Sequence, residues 1–372
     1  MGMKSASTGK AAVFEGPGKP FSIRSYPLPS VEKSALLVKI GMATICGSDL
    51  HRMRGFGKTA VPSIIGHEST GRIAALGDDV QTDVLGKHVE VGDRIVYPYF
   101  KNCGRCHTCL SKELAMNECE NRLGLSGGIS CADPPHFNGA FAEYLYLRPG
   151  WIFFKVPEEL SDEVVTPLNC ALSTIIHGVT KIGGTPPGGT VVIQGAGALG
   201  LYASVYSKEM GAGRVIVIDK VRERLETVKR FGADETVNLE DVKEPDKRVE
   251  EVLRLNGDVG VDLVVEVSGA PDVMPEGIKM LRKGGRYLEI GSITTEARST
   301  IDVFLIAFRE LNILGNMNYD AWVIPQALSF LLKTQDKYPL KQLITHKFSL
   351  DRIDDAFEVA TSRRGERVAI TP

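Results

Sequence analysis

Val191-Val-Ile-Gln-Gly195-Ala-Gly197-Ala-Leu-Gly200 is an apolar run that breaks into glycines spaced G-x-G-x-x-G and opens into Leu199–Met210, a stretch of helical periodicity. Strand, turn and helix in that order are what a dinucleotide cradle requires. Gly195 makes the tight turn, Gly197 lets the backbone approach a pyrophosphate, and Gly200 allows close helix packing. Ala198 and Leu199 open a helix whose N-terminus faces the phosphates. The glycines alone are a weak signal; Asp219 strengthens it. It ends the next apolar run, Arg214–Asp219, nineteen residues after Gly200. A carboxylate there accepts hydrogen bonds from both ribose hydroxyls and repels a 2′-phosphate, so the expected cofactor is NAD rather than NADP. Lys220, Arg222 and Arg224 follow closely and would tolerate a phosphate; Arg224 is assigned to the same cofactor site.

The rhythm continues on both sides of this motif. Val261–Ser268 and Arg286–Gly291 are further apolar or β-branched runs, and Val221–Phe231 and Val273–Leu281 have helical periodicity. Gly211, Gly232 and Gly284 are placed as helix stops. This βαβ alternation predicts an α/β fold with a doubly wound parallel sheet over residues 172–314. Upstream, from Ala11 to about Val156, short apolar runs such as Leu36–Ile40, Gly71–Leu76 and Arg94–Tyr97 are broken every eight to twelve residues by glycine, proline or charge. That pattern predicts an irregular β domain, residues 1–171. The remainder, 315–372, is expected to rejoin the first domain through a helix over Ala321–Leu332, a helix N-capped by Asp351 and the run Arg367–Thr371. There is no internal repeat.

A chain of 372 residues exceeds one ordinary hydrophobic core, in keeping with two domains. Its 44 basic and 46 acidic residues leave a net charge of −2 with no basic block, which argues against nucleic acid as a partner. Met1–Lys10 lacks the apolar centre of a secretory signal and no long apolar run follows, so the expectation is a soluble cytoplasmic protein with no membrane partner. Seven cysteines in such a setting read better as metal ligands than as disulfides.

Cys103, Cys106, Cys109 and Cys119 lie within seventeen residues. Four thiolates fill a tetrahedral zinc shell, which makes a structural site in a lobe of about residues 99–121. An iron–sulfur cluster is the chemical rival, weakened by the missing proline after Cys119. A catalytic zinc keeps three protein ligands and an open position, and Cys46 and His67 are the first candidates for it.

Gly66-His67-Glu68-x2-Gly71-x5-Gly77-x2-Val80 resembles the signature of the zinc-containing medium-chain alcohol dehydrogenases. Cys46-Gly-Ser48-Asp49-Leu-His51 is similar to their first-ligand segment. The likeness continues in order through Val91-Gly-Asp-Arg94, the four cysteines, Phe141-Ala-Glu-Tyr144 and the glycine motif. It implies a GroES-like β catalytic domain joined to a Rossmann domain. It also implies one catalytic zinc on Cys46, His67 and Cys170, one structural zinc on the four cysteines, and a homodimer or homotetramer. Glu68 would sit beside the catalytic metal, Asp49 would orient His67, and Ser48 and His51 would relay the substrate proton. Thr174, Ile290 and Gly291 would flank the nicotinamide and Arg367 would contact the pyrophosphate. Cys131 matches no ligand position. The family places its fourth structural cysteine seven residues after the third, so Cys119 implies a short insertion, and residues 122–138 are longer than the usual pattern.

The implied reaction is reversible oxidation of a primary, secondary or polyol alcohol to an aldehyde or ketone. Tyr99 and Phe56 are the expected apolar wall, and Arg52, Arg54 and Lys58 leave an anionic substrate as a minority reading. Two rivals stand beside this one. A zinc-free NADPH quinone or enone reductase of the same superfold should lack both metal constellations, and a non-catalytic zinc-binding structural protein has no need of Ser48, Glu68 or the glycine motif.

Overall fold

The computed structural model describes residues 7–111, 119–294, 296–362 and 365–372. The chain divides into two compact units, one made of Met1–Cys170, Asp320–Gln335 and Leu340–Pro372, the other of Ala171–Tyr319 and Asp336–Pro339.

The first unit begins with β1 (Thr8–Phe14), β2 (Ser22–Pro27), β3 (Leu36–Thr44), α1 (Gly47–Met53), β4 (Ser63–Ile64), β5 (Glu68–Leu76) and β6 (Arg94–Val96). There follow β7 (Phe100–Lys101), α2 (His107–Leu110), β8 (Leu123–Gly124), β9 (Tyr144–Leu147), β10 (Phe154–Lys155) and α3 (Asp162–Val165). β3 is the hub, because it pairs antiparallel with both β5 and β9. Gly71 of β5 could not be another residue here, since a Cβ would stand 2.3 Å from the Lys39 carbonyl oxygen. Val38, Ile40, Ile73, Ile95 and Phe141 form the buried core against this sheet. Each such side chain contributes about 1.5–3 kcal/mol by leaving water.

The second unit runs α4 (Ala171–Lys181), β11 (Thr190–Gln194), α5 (Ala198–Glu209), β12 (Arg214–Asp219), α6 (Arg222–Lys229) and β13 (Glu235–Asn238). It continues with α7 (Pro245–Leu255), β14 (Val261–Glu266), α8 (Val273–Met280), β15 (Leu281–Glu289), α9 (Val303–Phe308) and β16 (Asn312–Gly315). The strands form a six-stranded sheet in the order β13-β12-β11-β14-β15-β16, every pairing parallel. This is the doubly wound order, and its topological switch lies between β11 and β14. All five residues of β11 are buried, as expected of a strand covered on both faces.

The chain then returns to the first unit as α10 (Val323–Thr334), β17 (Ile344–Ser349), α11 (Ile353–Thr361) and β18 (Arg367–Thr371). β18 lies antiparallel to β3 with Ala369 opposite Thr44, and parallel to β17. The last strand is therefore laid beside the one that leads into Cys46.

Three local expectations change. Gly284 does not stop a helix: α8 ends at Met280 and β15 starts at Leu281, with Gly284 at φ +71° where the pairing with β14 is irregular. The Gly284-Gly285 pair is a strand irregularity, for which glycine punctuation is equally suited. Asp351 does not cap α11, because it lies inside a 3-10 turn, Leu350–Arg352, that precedes the helix. The helix expected at Ala321 begins at Val323. Gly211 and Gly232 do follow helix ends in the left-handed conformation, at φ +97° and +93°. Among the described residues no helix is long and apolar enough to cross a membrane.

Candidate metal centres and cofactor cradle

In the first unit β3 delivers Cys46 as the N-cap of α1, and Asp49 in the first turn closes that cap, its carboxylate accepting from the Cys46 amide at 3.0 Å. The other Asp49 oxygen lies 3.4 Å from His67 Nδ1. Taking up Nδ1 fixes the ring and leaves Nε2 as the nitrogen for a metal, the usual role of a carboxylate behind a ligand histidine. His67 immediately precedes β5 and Glu68 begins it. Cys170 follows a 3-10 turn, Thr166–Asn169, whose last residue is fully buried and donates to the carbonyls of Tyr97 at 3.1 Å, His67 at 3.2 Å and Ser69 at 3.5 Å. That side chain ties the Cys170 segment to the His67 segment. Donor atoms of Cys46, His67, Glu68 and Cys170 all lie within 4.8 Å of one another.

The electrostatics match a cation site. A hydrogen bond from Cys170 is the first cause that drives the Cys46 thiol well below its ordinary range, while the same contact drives Cys170 well above. Burial opposes charge on His67, but Asp49 and Cys46 outweigh it and push the imidazole up to about 10. Desolvation lifts Glu68 to about 7 against the pull of Arg367, whose guanidinium lies 3.0 Å from Glu68 Oε1 and donates to the Ile45 carbonyl at 3.1 Å. Thr44 donates to the other Glu68 oxygen. Two thiols, an imidazole and a carboxyl compressed in this way share protons that a divalent ion would replace.

Ser48 and His51 share α1 with Asp49. His51 is half-buried, its Nδ1 is buried without a hydrogen-bond partner, and burial followed by the charge of Arg54 holds its pKa below the ordinary histidine value. Phe56 meets the His51 ring edge-on at 5.6 Å and Tyr99 meets His67 at 4.9 Å. Arg52 donates to the Ser126 hydroxyl, which holds it to the segment after β8, and Arg54 and Lys58 are exposed.

The four clustered cysteines also converge, their sulfurs all within 4.8 Å of one another. Cys103 and Cys109 are 4.0 Å apart, Cys106 and Cys119 3.9 Å apart, and the Cys103 amide donates to Cys119 Sγ at 3.3 Å. Residues 112–118 of this lobe lie outside the described residues. Cys131 belongs to neither cluster; it is buried beside the Tyr26 hydroxyl at 3.4 Å.

In the second unit Gly195 sits at φ +113°, and a Cβ there would meet the Ser268 backbone at 2.9 Å. Gly197 is the N-cap of α5, and a Cβ on Gly200 would stand 1.9 Å from the Gly195 carbonyl oxygen. Asp219, at the end of β12, accepts from the amides of Ala196 at 2.7 Å and Val221 at 2.8 Å, which fixes its carboxylate over the turn. An Arg224 nitrogen stands 3.8 Å from where a Gly197 Cβ would be. Thr174 is buried in α4 and its carbonyl accepts from Asn316 at 3.4 Å, while Ile290 and Gly291 follow β15. Two groups had no sequence motif of their own: Asn169, and Glu266 with its neighbour Glu289. The available signal for Glu266 was an acidic residue ending an apolar strand, the same cue that marks Asp219.

Known proteins share both halves. A family model described as the alcohol dehydrogenase GroES-like domain matches residues 32–158, and one described as zinc-binding dehydrogenase matches 198–333. A 5-exo-hydroxycamphor dehydrogenase of Pseudomonas putida is 34% identical over 87% of this chain and 88% of its own length. A sorbitol dehydrogenase of Bacillus subtilis is 32% identical over 96% of this chain and 95% of its own. The crystal structure of an alcohol dehydrogenase from Thermotoga maritima superposes with a TM-score of 0.93 at 28% identity, covering 98% of this chain and 100% of that one.

Proposed function

The chain belongs to the zinc-containing medium-chain alcohol dehydrogenase family, and from that premise we propose that it transfers hydride reversibly between a primary, secondary or polyol alcohol and NAD. The observation that most supports this reading is the convergence of Cys46, His67, Glu68 and Cys170 within 4.8 Å. Two thiols and an imidazole are a zinc donor set, and they leave the fourth position for substrate. Cys103, Cys106, Cys109 and Cys119 would hold a second, structural zinc with no open position.

Zinc bound at the first centre supplies Lewis acidity, which eases loss of the substrate's hydroxyl proton. Around it each residue has a task. Asp49 fixes the His67 tautomer. Arg367 and Thr44 hold Glu68 beside the ligands, as an outer partner or a transient ligand when water exchanges. Ser48 accepts the hydroxyl proton and His51, whose lowered pKa keeps it a neutral acceptor, carries it outward. Tyr99 and Phe56 supply aromatic surface against the two histidines.

NAD supplies the hydride acceptor. Gly195, Gly197 and Gly200, with Ala198 and Leu199 opening α5, fit a pyrophosphate, and Asp219 fits two ribose hydroxyls in place of a 2′-phosphate. Arg224 lies beside the same turn. Thr174, Ile290 and Gly291 would border the nicotinamide. The test is a panel of primary, secondary and polyol alcohols offered with NAD to zinc-loaded protein, with NADH followed by absorbance. Turnover that disappears on chelation is expected. Failure with every alcohol, or turnover indifferent to chelation, would reject the reading.

A further inference from the structure

At the far half of the second unit's sheet, two acidic residues face each other. Glu266 closes β14 and Glu289 closes β15, and the parallel register sets them directly opposite. Like charges at such a position repel, so the pairing asks for a reason. Glu266 is 1% exposed and accepts four hydrogen bonds. Its Oε1 takes the Ser268 amide at 2.6 Å, the Ser268 hydroxyl at 2.6 Å and the Gly269 amide at 2.9 Å, and its Oε2 takes the Gly291 amide at 3.0 Å. Only a carboxylate satisfies that set of donors. Glu289 accepts from the Ser292 amide at 3.0 Å and lies opposite Glu266 in the strand register.

This pair stands where the cofactor reading needs a wall. The loop after β14 packs on Gly195, the first glycine of the cofactor turn, and a Cβ on Gly291 would meet Glu266 Oε2 at 2.4 Å. In the doubly wound order one half-sheet receives the adenosine and the other, β14 to β16, receives the second nucleoside at its carboxyl edge. We propose that Glu266 and Glu289 form an acidic pair under the nicotinamide half of the site, and that this pair sets the balance of affinity between oxidised and reduced cofactor. The inference rests on the NAD reading above. The oxidised ring carries a positive charge and the reduced ring carries none, so negative charge beneath it stabilises only the former.

The surroundings leave the pair free to change charge. Tyr287 is the neighbouring titratable group on β15, and its hydroxyl is spent on Gln194 of β11 at 3.0 Å. Glu276 of α8 also acts on this face and is held by Arg248 of α7. Ser292 follows β15, His177 of α4 is bonded to Asn316 at 2.9 Å, and β16 brings no charge. Burial, and then Glu266 itself, lift Glu289 to about 7. The Glu289 carboxyl therefore changes charge inside the ordinary range of pH, beside the buried Glu266.

Binding of NAD and NADH, measured by fluorescence from about pH 6 to about pH 8.5 in the intact zinc-loaded protein, reads this directly. In the wild type, preference for the oxidised form should rise with pH by roughly three- to ten-fold more than in Glu289→Gln, which keeps a hydrogen-bond donor but cannot ionise. Other titrating groups act equally on both proteins, so the difference between their slopes is the result. Parallel slopes would overturn the proposal while leaving the cofactor reading intact; failure to bind either form would overturn both. Should Glu289→Gln fold poorly, infrared spectroscopy of the wild type decides. A protonated carboxyl band that vanishes between those two pH values and persists in Glu68→Gln is expected; its absence at the lower pH, or its loss in Glu68→Gln, rejects the pair.

Discussion

Asn169→Ala should loosen the catalytic metal without touching a ligand. The native amide donates to Tyr97 O at 3.1 Å and His67 O at 3.2 Å, with a longer contact to Ser69 O at 3.5 Å. Asn169 is fully buried, so no water replaces those donors. Each of the two good bonds is worth about 1 kcal/mol net, and the stranded carbonyls bring the total to roughly 2–3 kcal/mol. For a unit of this size that is a fall of roughly 5–10 °C in Tm. The lost tie also frees the Cys170 segment from the His67 segment. Removing a group that holds ligands in place commonly weakens metal binding about 10–100-fold. Competition with a chromophoric chelator separates the effects: one zinc should leave at lower chelator concentration than in the wild type, while the zinc of the four cysteines leaves as before. A variant with wild-type melting and wild-type release of both ions would refute this role for Asn169.

Other outcomes follow from the cradle and the surface. Gly200→Ala sets a methyl against the Gly195 carbonyl oxygen, 1.9 Å from it before any relaxation, and calorimetry should show NAD affinity falling at least about ten-fold through backbone displacement. Asp219→Ala should lower the preference for NAD over NADP in steady-state kinetics; a wild-type enzyme that already prefers NADP would refute the assignment. Lys347 donates to Glu163 at 2.7 Å, the first cause that pulls this carboxyl down to about 2. Because the folded value is depressed, the stabilisation is complete above the ordinary carboxylate range and is lost as pH falls through about 2. Lys347→Met should therefore melt below the wild type at neutral pH, with a gap that closes on acidification; a constant gap would exclude the pair as its cause.

The second unit was legible because a sheet covered on both faces writes continuous apolar runs such as Val191–Ile193, and glycines with φ near +100° mark where they turn. The same punctuation misled at Gly284, where glycines serve an irregular strand pairing and not a helix end. In the first unit the strands range from two residues to nine, and the sheet is completed by β18 from the end of the chain, a pairing no local pattern encodes. Cys46, His67 and Cys170 are brought together by that long-range topology, so only family resemblance linked them in sequence. Buried polar partners were the hardest to read. Asn169 and Glu289 look like ordinary residues in the chain, and their importance arises from what faces them after folding.

Whether the centre built on Cys46 holds the zinc that does the chemistry is tested most directly by metal analysis of Cys46→Ala beside the wild type. Alcohol-dependent NAD reduction is assayed on the same samples. About two zinc per chain in the wild type and about one in the variant, with turnover lost and the four-cysteine site still filled, is the predicted result. Equal zinc in both proteins, or turnover that survives in the variant, would contradict it.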